Sequence, residues 1–126
     1  MVDTKNVLII DDDRGHLKML TSDLENSGYK VMTAPDGEAG LKIAKTKKPD
    51  LIILDVLLPG MKGRQVCVKL KEDNLTKDIP VIFLTAKDSP DDVLAEIQVG
   101  AVGHLTKPVN SKKLLIEVRN ILGQKP

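Results

Sequence analysis

The sequence has few aromatic residues and a single cysteine. Tyr29 and Phe83 are its only aromatic side chains, and it has no tryptophan. Stacking surfaces for the bases of single-stranded nucleic acid are therefore not expected. The lone Cys67 excludes an internal disulfide framework and a metal cluster built from several thiolates.

An excess of one charge and long apolar segments are also missing. The 126 residues carry 19 Lys and Arg against 18 Asp and Glu, a net charge of +1, which gives no support for binding nucleic acid or a membrane through bulk charge. The apolar runs are far shorter than the ~20 residues that cross a bilayer. Asp11-Asp12-Asp13 ends the first run, unlike a signal peptide. We expect one domain of a cytoplasmic protein that binds neither nucleic acid nor membrane directly.

Short apolar runs rich in β-branched residues recur along the chain. The clearest are Val7–Ile10, Leu51–Leu54 and Val81–Leu84, with weaker candidates at Lys30–Ala34 and Ala101–Leu105. Continuous rather than alternating apolar runs are typical of strands that are buried on both faces, as in a parallel sheet.

Helical spacing of apolar residues separates these strands. The fourth helix is predicted to start at Ser89-Pro90 and to bury Val93, Leu94 and Ile97. Strands and helices alternate five times, which predicts an open, doubly wound parallel sheet rather than a barrel. On the other helices we expect N-caps at Asp13 and Asp36, and the last helix should start at Asn110 or Ser111. We expect His16 to be exposed and Cys67 to be buried. The residues expected on the inner faces of these helices are Leu17, Leu20, Leu24, Ala39, Ile43, Ala44, Val66, Leu70, Leu114, Leu115 and Val118.

The ends of four strands carry residues suited to binding a metal or a phosphoryl group. Asp11 and Asp12 follow the first strand, Asp55 the third and Thr85 the fourth, and Lys107 lies just beyond the fifth. Ligands of open α/β sheets bind at the carboxyl ends of the strands. If the first and third strands are neighbours, these residues share one pocket.

These residue types favour phosphoryl chemistry with a hard divalent cation. Three carboxylates repel one another, and a cation removes the repulsion. Oxygen ligands without histidine or thiolate suit Mg²⁺, or Mn²⁺, rather than Zn²⁺. A lysine and a hydroxyl opposite them suit phosphoryl oxygens, and a carboxylate is the candidate nucleophile. Taken singly, each has a plainer explanation, since an Asp after a strand is commonly a turn or cap residue.

Four motifs together resemble the receiver domain of two-component response regulators. They are residues 7–12 (VLIIDD), 54–60 (LDVLLPG), 83–86 (FLTA) and 106–108 (TKP), and they occur in the family's order. The resemblance covers essentially the whole chain and implies the flavodoxin-like α/β fold, a five-stranded parallel sheet of order 2-1-3-4-5 with five helices. It implies a single receiver domain over 1–126, with 123–126 as the start of a linker if an output domain follows.

The resemblance implies that the protein is a phosphoacceptor switch. Asp55 would take a phosphoryl group from a phosphohistidine. Asp11, Asp12, the Asp55 carboxylate and the backbone carbonyl of Leu57 would bind Mg²⁺. Catalysis would be limited to this transfer and to slow dephosphorylation, so the protein would not be a metabolic enzyme.

The signal would leave through the face formed by helix 4, strand 5 and helix 5. Lys107 would pair with the phosphoryl oxygens, and Thr85 would move toward the phosphoryl group. The Lys107–Pro108 peptide bond would be cis. The implied partners are a sensor histidine kinase or a histidine phosphotransfer protein, and an output domain or target protein. A phosphorylation-dependent homodimer stays open.

Three positions depart from the family pattern, and two others are expected to set the phosphoryl lifetime. His104 stands where Tyr or Phe is usual, and we expect either a partly exposed surface histidine or an altered switch rotamer. Lys62 replaces a common Asp, and Val109 a common Phe. Leu57 can shield the acyl phosphate from water, and Lys87 cannot act as a carboxylate base, so slow hydrolysis is expected.

Two alternatives fit part of the pattern. A haloacid-dehalogenase-like phosphohydrolase also uses an Asp nucleophile, Mg²⁺, Thr and Lys on a doubly wound sheet. Asp11-x-Asp13 resembles its first motif, which would make Asp11 the nucleophile, but Gly15 does not fit that motif and a cap domain has no room. A degenerate receiver that serves as a scaffold is the other alternative, and the complete set of pocket residues argues against it.

Overall fold

Five strands alternate with five helices in the computed structural model, which describes residues 4–86 and 90–123. No helix in those ranges combines the length and the apolar character that a bilayer span requires. The elements are β1 (Asn6–Ile10), α1 (Arg14–Asn26), β2 (Lys30–Ala34), α2 (Gly37–Lys47), β3 (Leu51–Asp55), α3 (Gly63–Glu72), β4 (Val81–Thr85), α4 (Pro90–Gln98), β5 (Gly103–Thr106) and α5 (Ser111–Ile121).

The strands form one parallel sheet in the order β2-β1-β3-β4-β5, which confirms the predicted topology. The chain leaves β1 toward β2 on one side and returns to β3 on the other, so the strand order reverses between β1 and β3. A crevice at this point is where open α/β sheets bind their ligands. The fifth strand starts two residues later than predicted, because the Ala101 N–H donates to the carbonyl of Glu96 in the turn after α4.

Alternate side chains of each strand enter two separate apolar cores. Val7 and Ile9 pack in one core with residues of α1 and α5, whereas Leu8 and Ile10 pack in the other with residues of α2 and α3. Cys67 is fully buried in the second core, as predicted. Burial on both faces explains why the strands read as continuous apolar runs.

Side-chain caps fix where three helices begin. The carboxylates of Asp13 and Asp36 accept hydrogen bonds from the N–H groups of His16 and Ala39, and Asn110 does the same for Lys113 at the start of α5. These N-caps confirm the prediction. The predicted helix start at Ser89 lies outside the described residues.

The prediction for the inner face of α4 was wrong for two of its three residues. Leu94 and Ile97 are 54% and 59% exposed, whereas Val93 is half-buried and Glu96, one turn after Val93, is 1% exposed. The apolar spacing in the sequence led to the opposite orientation, because an apolar stripe usually faces the core. On this helix the buried position is instead occupied by a carboxylate.

Candidate phosphoacceptor site

The sheet register brings the predicted acidic residues together. Ile10 of β1 lies beside Leu54 of β3, so the next residues along, Asp11 and Asp55, lie level at the carboxyl edge of the sheet. Asp11 is fully buried and Asp55 is 4% exposed. Two carboxylates 44 positions apart therefore share the predicted pocket.

Lys107 lies against both carboxylates. Its Nζ donates to Asp55 Oδ2 at 2.7 Å and lies 3.5 Å from Asp11 Oδ2. Thr85 pairs with Thr106 across β4 and β5, and the Lys107 N–H donates to the Thr85 carbonyl at 2.8 Å. This register carries Lys107 beyond the sheet edge and over the site. The Lys107–Pro108 bond is cis, as the family resemblance implied.

Backbone N–H groups orient the two buried carboxylates. Asp11 Oδ1 accepts from the Asp13 N–H, and Asp55 Oδ1 accepts from the Leu57 N–H, each at 3.0 Å. In both cases the donor lies two residues further along, where the chain turns out of the strand. These hydrogen bonds hold the carboxylates in the pocket and favour their charged forms.

The ionisation of the site follows from burial and from these contacts. Burial raises the pKa of Asp55, and the hydrogen bond from Lys107 offsets this only in part. Burial also acts to raise the pKa of Asp11, but hydrogen bonds from the Asp13 backbone and the His16 side chain outweigh it and lower the pKa. Burial acts to lower the pKa of Lys107, yet its hydrogen bond with Asp55 raises it. Of the two buried carboxylates, Asp55 takes up a proton more readily.

Three carboxylates can hold a metal ion here. Asp11, Asp12 and Asp55 each offer one oxygen, and these oxygens lie within 4.8 Å of one another. Asp12 is exposed, which leaves a path to solvent for a partly hydrated ion. Hard oxygen donors, two of them buried, fit Mg²⁺ or Mn²⁺.

A small cavity of about 180 Å³ adjoins Thr85. Its walls also include Val56, Leu57 and Ala86, which follow β3 and β4. Leu57 is 64% exposed and lines this cavity. Its predicted effect on the lifetime of the phosphoryl group stays a prediction. Lys87, the other predicted lifetime residue, lies outside the described residues.

Gly63 is required where α3 begins beneath the acceptor strand. A Cβ at this position would collide with the backbone carbonyl of Asp55 and lie 2.8 Å from the Cα of Val56. The Gly63 N–H also donates to the Val56 carbonyl at 3.0 Å. The start of α3 therefore supports the backbone that carries Asp55. Lys62, just before it, is exposed, consistent with a loop residue.

The prediction that His16 is exposed was wrong. Its side chain is 11% exposed, and Nδ1 lies 2.6 Å from Asp11 Oδ2. His16 is the third residue of α1, and side chains in a first turn lean back toward the segment before the helix. The predicted N-cap at Asp13 was the sequence signal for this contact, because a helix that begins there brings the side chain of His16 close to Asp11.

A second polar cluster, also missed from the sequence, lies beside α4. Arg64 of α3 pairs with Asp92 at 3.3 Å, and both line the cavity next to Thr85. Both carboxylate oxygens of Glu96 are buried without a hydrogen-bond partner in the described part of the chain. Burial raises the pKa of Glu96, with the nearby charges of His104 and Arg64 opposing the shift. The half-buried His104 thus lies near a buried acid.

Known proteins match both the sequence and this geometry. The family model of the response regulator receiver domain matches residues 7–119. The chain belongs to this family. Receiver domains of two-component response regulators are phosphoacceptor switches rather than classical enzymes, and the match supports this function over a haloacid-dehalogenase-like phosphohydrolase.

Relatives of this receiver domain occur both alone and within longer proteins. The chain is 42% identical over 94% of its length to the Bacillus subtilis regulator of alkaline phosphatase synthesis PhoP, and 40% identical over 91% to the Caulobacter vibrioides response regulator PleD. It spans only 48% and 25% of those two proteins. It is 37% identical to Pseudomonas aeruginosa PilH over 92% of this chain and 96% of that protein.

Solved structures confirm the receiver fold. The Vibrio cholerae chemotaxis response regulator CheY4 superposes with a TM-score of 0.90 at 33% identity, covering 94% of this chain and 99% of that chain. The receiver domain of Francisella response regulator 1452 gives a TM-score of 0.90 at 28% identity, covering 95% and 98%. The flavodoxin-like architecture inferred from the motifs is therefore correct.

Proposed function

We propose that Asp55 is the phosphoacceptor of this receiver domain. The supporting observation is the buried Asp55 carboxylate, which is paired with Lys107 Nζ at 2.7 Å and lies level with Asp11 at the sheet edge. An Asp55 oxygen attacks the phosphorus of a phosphohistidine, so that an O–P bond forms and the N–P bond breaks. The released imidazole takes a proton from solvent, and the product is an acyl phosphate.

The metal in this proposal is Mg²⁺, or Mn²⁺ in its place. Asp11, Asp12 and Asp55 would hold it, with the backbone carbonyl of Leu57 as a further ligand. When bound, it neutralises charge on the phosphoryl oxygens. Lys107 provides a further positive charge beside Asp55, and its raised pKa keeps it charged throughout the neutral range.

The switch in this proposal runs from Thr85 to the surface of α4, β5 and α5. Phosphorylation adds about −1.5 to −2 charge, which attracts Thr85 and Lys107 and biases the loop after β4. His104 lies on β5 and responds together with that strand. Pairing with β4, where Phe83 lies beside His104, fixes the position of β5. A groove of about 540 Å³ continues from Lys107 along this face, lined by residues that include His104, Thr106, Lys113, Ile116 and Glu117.

The partners in this proposal follow from the chemistry. A sensor histidine kinase or a histidine phosphotransfer protein supplies the phosphoryl group, which places the domain in the cytoplasm. An output domain or a separate target protein reads the α4–β5–α5 face, with phosphorylation-dependent pairing of two receiver domains as one further form of output. Several relatives, among them the transcriptional regulatory protein PhoP, are longer than this chain.

Phosphorylation by a small donor tests the proposal. The wild-type protein, incubated with acetyl phosphate and Mg²⁺, should gain the mass of one phosphoryl group, and EDTA should prevent the gain. Asp55→Asn should not gain it, because an amide is not a nucleophile. The exposed Asp78 provides the matched control, and Asp78→Asn should behave as wild type. Equal uptake by Asp55→Asn would contradict the proposal.

A further inference from the structure

His16 is held against the most deeply buried carboxylate of the site. Its Nδ1 lies 2.6 Å from Oδ2 of Asp11, a residue with no exposed surface. The distance is that of a strong hydrogen bond to a charged acceptor. Only 11% of the His16 side chain is exposed, so the ring has little freedom to turn away from Asp11.

The hydrogen bond assigns the proton on the imidazole. A charged carboxylate can only accept, so Nδ1 of His16 carries the proton and donates it to Asp11. The other ring nitrogen, Nε2, is buried and has no hydrogen-bond partner in the described residues.

Two donors therefore fix the orientation of Asp11 from opposite edges. The Asp13 N–H holds Oδ1 and His16 Nδ1 holds Oδ2. A carboxylate has about four lone-pair sites, so Oδ1 keeps one for a cation, whereas Oδ2 also lies 3.5 Å from Lys107 Nζ. His16 itself is not part of the group of Asp11, Asp12 and Asp55 whose oxygens converge, so it acts through Asp11 rather than as a ligand.

We infer that His16 is a positioning residue of the metal site, which presents Asp11 to the divalent cation in a fixed orientation. This inference rests on the metal site of the proposed function and adds to it a residue from α1. Hydrogen-bonding partners of metal ligands typically change metal affinity about 10- to 100-fold when they are removed. The loss of the His16 donor should act in the same way.

Binding of Mn²⁺ to the whole, unphosphorylated chain tests the inference without any activity measurement. Electron paramagnetic resonance of free Mn²⁺ gives the dissociation constant for four proteins. The first three are wild type, His16→Leu and His16→Asn. His16→Leu removes the hydrogen-bond donor, whereas the amide N–H of His16→Asn replaces Nδ1–H. The fourth is Ser22→Leu, which adds the same apolar side chain at an exposed position of α1. Thermal unfolding of each variant checks that it is folded.

We expect His16→Leu to bind Mn²⁺ about tenfold more weakly or worse, with His16→Asn and Ser22→Leu close to wild type. Unchanged or tighter binding by His16→Leu would overturn the inference, since it would show that the histidine is idle or competes with the metal. Equal weakening in His16→Asn would also overturn it in favour of simple packing. If wild type is phosphorylated on Asp55 while His16→Leu binds normally, only the inference fails and the proposed function stands.

Discussion

Lys107 Nζ lies 2.7 Å from Asp55 Oδ2 and 3.5 Å from Asp11 Oδ2, so one cation compensates two buried carboxylates. Removing it in Lys107→Met leaves both carboxylates without that partner. Without Mg²⁺, we expect the free energy of unfolding to fall by about 1 to 3 kcal/mol at neutral pH.

The loss in Lys107→Met should shrink in acid. Burial raises the pKa of Asp55, so Asp55 takes up a proton early as the pH falls. The charge repulsion between the carboxylates of Asp11 and Asp55 then disappears. Urea unfolding in EDTA at about pH 8 and about pH 4.5 measures both values. A loss of stability that is the same at both pH values would contradict this account of the site.

Glu96 makes a separate contribution to the pH dependence of stability. Its folded-state pKa is raised by burial, so the folded protein binds this proton more tightly than the unfolded chain does. Stability is therefore full below the unfolded-state pKa and falls as the pH rises through the folded-state pKa.

Glu96→Gln should remove the loss of stability at higher pH, because the glutamine amide stays neutral. Relative to wild type, it should be more stable by about 1 to 3 kcal/mol at about pH 8 and nearly unchanged at about pH 4. Thermal unfolding at the two pH values measures the difference. Destabilisation of Glu96→Gln at the higher pH would show that the carboxylate is well paired.

Gly63 is expected to tolerate no side chain. In Gly63→Ala the new methyl group would push on the backbone of Asp55 and Val56. We expect a loss of about 1 to 3 kcal/mol, the usual range for overpacking, together with slower phosphorylation. Urea unfolding and acetyl phosphate uptake measure the two effects.

Gly15→Ala in α1 is the matched control for Gly63→Ala. Its Cβ would meet only Asp13 Oδ1, at 3.4 Å, so it should be neutral or stabilising. If both substitutions have the same effect, the close approach of α3 to the acceptor strand is not what requires the glycine.

His104 stands at a position where the family usually has an aromatic residue, and it lies near the buried carboxylate of Glu96. Beryllofluoride with Mg²⁺, a phosphoryl mimic, should shift the amide resonances of α4 and β5 in wild type.

In His104→Tyr these shifts should change in size or pattern, because the tyrosine ring is larger than the imidazole and must be accommodated differently beside β5. Identical shifts in the two proteins would show that His104 is a surface residue with no part in the switch.

Local signals in the sequence predicted the sheet and most of the site. Continuous apolar runs identified the strands, and capping side chains such as Asp13 and Asp36 marked the helix starts. Because the carboxyl ends of parallel strands share one edge, Asp11 and Asp55 could be placed together before the register was known.

Interactions between distant elements account for what the sequence did not predict. Leu94 and Ile97 form an apolar stripe of helical spacing, yet the packing of α4 turns that stripe outward and buries Glu96. His16 looked like a surface residue because its contact with Asp11 depends on the exact path of the chain from β1 into α1. The burial of Glu96 has no signature in local composition, whereas the predicted cap at Asp13 was the signal for the position of His16.

The position of the acyl phosphate tests the central claim most directly. After phosphorylation by acetyl phosphate with Mg²⁺, borohydride reduction converts the phosphorylated aspartate into homoserine, which peptide mass spectrometry then locates. The account predicts homoserine at Asp55 alone. Homoserine at Asp11 would contradict it, because the nucleophile would then be the carboxylate that a haloacid-dehalogenase-like phosphohydrolase would use.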